Sequence, residues 1–127
     1  MNQRIVAGFL FVLLLVPLAG CPSREEVAGR AAADARQRGR AAAEADIAAG
    51  MLKQKEYPAL PYSKQQMDFL RLLKSECGVT NEVVPGPGDS QELRAEVAAY
   101  NEVMAAEIRK RFGADIFQKL HDKAEGK

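Results

Sequence analysis

The chain has 127 residues, with 18 Lys and Arg against 17 Asp and Glu, a net charge of +1, and no Trp. That balance excludes the basic excess a nucleic-acid partner needs and any strong electrostatic pull towards a charged membrane surface. The length bounds the folded part to one small domain.

Met1 to Arg4 is a short polar start with a single positive charge, and Ile5 to Leu18 is apolar apart from Gly8 and Pro17. This run matches the apolar core of an export signal and is too short for the roughly 20 apolar residues of a spanning helix. Small residues follow at Ala19 and Gly20, as a cleavage site requires, and then comes a thiol, Cys21.

The stretch Leu18-Ala19-Gly20-Cys21 resembles the lipobox of bacterial lipoprotein signal peptides, position for position. The resemblance covers residues 1–21. It implies diacylglyceryl transfer to Cys21, cleavage after Gly20 and acylation, such as with palmitate, of the new amino group. One basic residue precedes the apolar core where two or three are common. A plain secretory signal or an uncleaved anchor, with Cys21 coincidental, is the alternative. Each buried methylene adds about 0.8 kcal/mol, and two chains or more give stable anchoring without any protein contact. The sorting rule that travels with this family sends Asp after the Cys to the inner membrane. Pro22 stands there, so the expectation is the outer membrane, facing the periplasm.

Removal of 1–20 leaves 107 residues (127 less 20), and since Arg4 is the only charge removed, the remainder holds 17 basic and 17 acidic side chains. With Cys21 lipidated, Cys77 is the one free thiol, which excludes an internal disulfide. Cys77 is read as a buried small hydrophobe at a helix end, the alternatives being an intermolecular disulfide or a reactive thiol.

Ser23 to Ala49 reads as an alanine-dominated helix. Opposite charges fall four apart at Glu26/Arg30, Arg30/Asp34, Asp34/Arg38 and Arg40/Glu44, while Gly29 and Gly39 each weaken it by about 1 kcal/mol. Large apolar residues are nearly missing before Ile47. Residues 21–50 are therefore expected to be a lipid-anchored, solvated stalk; the alternative is a helix packing tightly through its Ala/Gly face.

Gly50 stops that helix. Met51 to Tyr57 is a short extended segment. Pro58 and Pro61 force a turn over Tyr57-Pro58-Ala59-Leu60-Pro61-Tyr62. Its tyrosines are expected to staple the loop to the core, the alternative being a recognition surface.

Ser63 to Gln66 fits a capping box and opens a second helix, with Met67, Leu70, Leu73 and Cys77 on one face and Phe69 and Leu72 widening it. Gly78 ends it. Val79 to Val84 is the best strand candidate. Pro85-Gly86-Pro87-Gly88 breaks the chain and lacks the Lys and Ser/Thr of a phosphate loop.

A third helix starts at Asp89 or Ser90 and carries a five-turn apolar stripe of Leu93, Val97, Tyr100, Met104, Ile108 and Phe112. Arg109, Lys110 and Arg111 read as its solvated, dipole-matched end. Gly113 closes it, and Asp115 is placed to cap a short fourth helix over Ile116, Phe117 and Leu120.

The expected fold is mainly α, with α+β as the alternative. It comprises the Ala-rich helix, then a domain over 51–127 of three helices with at most two short strands, formed by Met51–Tyr57 and Val79–Val84. No residues suggest a metal site or cofactor, and no catalytic set is visible. The one histidine, His121, could pair with Cys77 only if the fold brought them together. The expected role is a non-enzymatic binding module of the cell envelope, with an envelope protein or peptidoglycan as partner. Two alternatives remain. One is a structural spacer or peptidoglycan-associated lipoprotein joined through Lys127, which resembles small wall-linked lipoproteins except that four prolines between Pro58 and Pro87 interrupt any continuous helix. The other is an enzyme using Cys77.

Overall fold

The computed structural model describes residues 20–127, in the order α1 (Arg24–Ala48), β1 (Lys53–Glu56), α2 (Lys64–Cys77), β2 (Thr80–Val83), α3 (Gln91–Phe112) and α4 (Ile116–Ala124). The fold is mainly α with a two-stranded sheet. Residues 1–19, where the expected signal segment and the first two residues of the lipobox-like stretch fall, lie outside the described residues. No helix among those described is long and apolar enough to cross a membrane.

Local sequence sets the helix ends. Ser23 caps α1 through its hydroxyl, and Glu26 reaches back to the Ser23 N–H at 2.7 Å. Ser63 and Gln66 do the same for α2, so two donors are satisfied reciprocally at each start. Ser90 caps α3, accepting from Leu93 N–H at 3.2 Å. The neighbouring Asp89 pairs with Arg94 instead. Gly78 takes the left-handed conformation that ends α2, with φ 69°. Asp115 does not cap α4 as expected: its side chain makes no capping bond and pairs with Lys119 at 3.1 Å.

β1 and β2 run parallel, Lys53 opposite Thr80 and Glu56 opposite Val83, with α2 as the crossover between them. The core gathers Tyr100, Met104 and Ile108 of α3, Leu73 and Cys77 of α2, Leu120 of α4, and Leu52 and Val79 at the strand starts. Burying a Leu or Met side chain contributes about 1.5–3 kcal/mol. Two expected core positions lie open: Met67 is 54% exposed and Phe112 39%. On α2 the buried face is instead centred on Phe69, Leu72, Leu73 and Cys77.

The expectation of a separate stalk is corrected. Ala35, Gly39 and Ala43 are buried, and Ala43 belongs to the main core cluster. Along the two helices the partners advance together. Arg38 meets Glu92 and Glu96, Gly39 the backbone at Glu96, and Asp46 the hydroxyl of Tyr100. The helices are therefore parallel. Small residues four apart let the two backbones approach closely, which replaces large apolar side chains as the means of burial. A Cβ on Gly39 would lie 2.1 Å from the Glu96 carbonyl oxygen, so Gly39 fits the fold rather than weakening it.

The expected charge ladder along α1 is also redirected. Arg38 and Arg40 reach across to α3, at Glu92, Glu96 and Glu102, rather than to residues four away. Only residues 24–30 are exposed throughout, about 10 Å of helix at 1.5 Å per residue.

Candidate functional site

Strand alternation decides what the outer edge of β1 offers. Leu52 and Glu56 carbonyls accept from Thr80 and Val84 of the β2 segment, so even-numbered residues face β2 and Lys53 and Lys55 face outwards. Lys55 is satisfied there by a side chain. Its N–H donates to Asn101 Oδ1 at 2.9 Å, and its carbonyl accepts from Asn101 Nδ2 at 2.7 Å. The carboxamide of Asn101 thus occupies the place of a neighbouring strand.

Lys53 presents the same two groups one strand repeat earlier. The residue one turn along α3 from Asn101 is Ala105, whose methyl can make no such bonds. The Lys53 N–H and carbonyl point away from β2, and outside the β1–β2 ladder no hydrogen bond among the described residues engages them. The space left is a cavity of about 240 Å³ between β1, α2, α3 and α4. Phe69, Met104, Ile108 and Phe117 give it apolar walls, with Lys53, Gln54 and Asn101 along the strand side. Arg109 stands at its rim with its guanidinium carbon 5.0 Å from the Phe117 ring centre, a cation–π contact. Arg109 forms no ion pair with a carboxylate of the described residues, unlike Arg111, which binds Glu107 at 2.7 Å.

Behind this edge lies a polar network against α1. The buried Tyr100 hydroxyl donates to Asp46 Oδ2 at 2.6 Å, and Lys53 Nζ lies 3.5 Å from the same carboxylate and 3.7 Å from Glu82. Lys55 Nζ sits 4.2 Å from the centre of the Tyr100 ring. The Tyr100 bond, with Lys53 next, holds the Asp46 carboxyl below its ordinary range. Burial, then the bond to Asp46, pushes the Tyr100 hydroxyl up. The Lys53 ammonium is thus occupied on the α1 side, and Arg109 is the free cation of the groove among the described residues.

The residues singled out from sequence fall apart in space and in role. Cys21 is exposed, three residues before α1. Cys77 is 5% exposed in the core, and burial followed by the charge of Glu76 raises its thiol pKa. His121 pairs with Glu125 at 3.1 Å and meets Phe69 edge-on at 6.3 Å; no hydrogen bond joins it to Cys77. Lys127 Nζ is bound to Glu125 at 2.6 Å. The loop tyrosines act as staples. Tyr57 donates to the Pro87 carbonyl and accepts from Ser90 N–H, while Tyr62 donates to Glu56 and accepts from Asn81 at 2.7 Å.

Asn101, Ala105 and the Arg109–Phe117 pair were not found from sequence. The available signal was Asn101, a poor helix former placed mid-helix beside a buried Tyr. The groove's lining holds no thiol, hydroxyl or imidazole, and among the described residues no group of three metal-ligating side chains is assembled. What the groove offers is an apolar recess, a free backbone donor and acceptor, and one cation. No protein-family model, curated protein or solved structure matches the chain.

Proposed function

We propose that this protein is a non-enzymatic lipoprotein of the bacterial envelope, held by lipid on Cys21 and binding another envelope component through its domain. The observation that carries the reading is the sequence Leu18-Ala19-Gly20-Cys21 placed directly before a capped helix. An exposed Cys21 leaves room for acyl chains, and residues 24–30 would set the domain only about 10 Å from the lipid surface. Pro22 in place of Asp favours the outer membrane. The groove beside Lys53 supports a binding role.

The test is metabolic labelling with a clickable palmitate in a bacterial host, followed by membrane fractionation and in-envelope crosslinking. The wild type should carry label, sediment with membranes and crosslink to a stoichiometric envelope component. Cys21→Ser should lose the label and the sedimentation. An unlabelled wild type would remove the anchor from the reading, and a labelled protein without any crosslinked component would remove the binding module.

A further inference from the structure

We propose that the groove beside Lys53 captures the C-terminus of an extended peptide, with an apolar last side chain in the cavity and its carboxylate on Arg109; this rests on the reading of the domain as a binding module.

Three independent features select this guest. The first is the backbone. Lys53 offers an N–H and a carbonyl in the geometry of a strand edge, which an amide of another chain satisfies by β-addition. Asn101 shows that this edge accepts such a partner, because its carboxamide already fills the equivalent position at Lys55.

The second is length. Asn101 closes the edge two residues from Lys53, on the side away from Arg109, so a guest whose carboxylate lies on Arg109 must join the edge from solvent at Lys53 and cannot lie along β1 before it. Only about one residue pair of edge remains, which suits the end of a chain better than a through-running segment. The cavity agrees with a small guest: at about 240 Å³ it lies below the roughly 300–1,000 Å³ of sites for drug-sized ligands. One Leu, Met or Phe side chain against Phe69, Ile108 and Phe117 would occupy it.

The third is charge. Arg109 follows Ala105 by one helical turn, about 5.4 Å along α3, and an extended chain advances about 3.3 Å per residue. A carboxylate one to two residues beyond the amide held by Lys53 therefore reaches the guanidinium. Arg109 has no acidic partner among the described residues, and its planar fork suits a carboxylate. A C-terminal amide would leave that cation unanswered.

The test uses the full-length chain in detergent and fluorescein-labelled tetrapeptides Gly-Ala-Ala-Leu with a free C-terminus, the same peptide as its amide, and Gly-Ala-Ala-Ala with a free C-terminus. Fluorescence anisotropy should show saturable binding of the first, with the other two at least about tenfold weaker. Arg109→Gln should weaken the first peptide by about tenfold. Ala105→Asn should abolish binding, since a second carboxamide would cover Lys53 as Asn101 covers Lys55, with a circular dichroism spectrum and cooperative thermal unfolding like the wild type's as the control that the variant is folded. Absence of saturable binding up to millimolar peptide, equal binding of acid and amide, or binding indifferent to both substitutions would each overturn the proposal. Failure here is separable from failure of the envelope-module reading: a stoichiometric crosslinked partner with silent peptides removes the groove alone.

Discussion

Asn101 holds both polar groups of the Lys55 backbone, accepting from the N–H at 2.9 Å and donating to the carbonyl at 2.7 Å. A helix side chain thereby finishes the two-stranded sheet of the described residues on its β1 side. Each backbone group left unpaired in a part-buried place costs about 1–3 kcal/mol. Asn101→Ala is therefore expected to lower unfolding free energy by about 2–4 kcal/mol in urea titration and to speed amide exchange at Lys55. Asn101→Asp, which keeps only the acceptor, should fall between. Unchanged exchange at Lys55 in Asn101→Ala would show that the contact does not hold the strand.

Two glycines of one helix should respond in opposite directions. Gly29 has open space around its missing side chain, so Gly29→Ala should stabilise by about 0.4–1 kcal/mol through helix propensity and a less free unfolded chain. A methyl at Gly39 meets the Glu96 carbonyl oxygen at 2.1 Å and the Tyr100 nitrogen at 3.1 Å. Backbone cannot step aside as a side chain can, so Gly39→Ala should cost at least about 2 kcal/mol by prying α1 from α3. Thermal unfolding of the two variants side by side is the measurement. Equal stabilisation by both would mean that α1 stands free of α3, as a stalk would.

These two glycines also show what the sequence could and could not disclose. Helix ends were legible because capping is local: Ser63 with Gln66 and Gly78 act within a few residues of themselves. The α3 stripe from Val97 to Ile108 was legible because large apolar residues declare a buried face. The α1 face was not, since Ala35, Gly39 and Ala43 bury themselves by closeness of backbone, and small residues carry little periodic hydrophobic signal. The pairing of Arg38 with Glu92 and Glu96 depends on that same packing and so was hidden with it. The groove was hidden for a different reason. It is made by Ala105, a residue too short to do what Asn101 does one turn earlier, and that difference has meaning only once α3 lies along β1.

The pair Tyr100 and Asp46 ties α3 to α1 and predicts an acid-sensitive contact. Asp46 titrates below its ordinary value of 3.8 because Tyr100 and then Lys53 favour the carboxylate. A depressed carboxyl pKa contributes stability that is fully present above 3.8 and is lost as pH falls through the lower folded value. Tyr100→Phe should cost about 2 kcal/mol at neutral pH, typical of a hydrogen bond to a charged group. The gap between wild type and variant should narrow as pH drops below 3.8. Urea titrations at pH 7, 4 and 3 would read it, and a gap constant across that range would show that Tyr100 does not depend on the ionised Asp46.

Cys77 sits at the end of α2 in the core, where burial and then Glu76 oppose its thiolate. With Cys21 replaced by Ser, an aromatic disulfide reagent at pH 8 should find no reactive thiol in the folded protein. It should label Cys77 only over the urea range in which the fold is lost. The sign of the pH dependence follows from the raised pKa. The unfolded thiol releases its proton above its ordinary value of 9.0 while the folded one retains it, so stability should fall as pH rises beyond 9.0. Cys77→Ala removes that alkaline decline at the cost of about 1 kcal/mol for a small cavity, whereas Cys77→Ser buries a hydroxyl and should cost more. Rapid labelling of the native protein would contradict this placement of the thiol and return Cys77 to consideration as a reactive group.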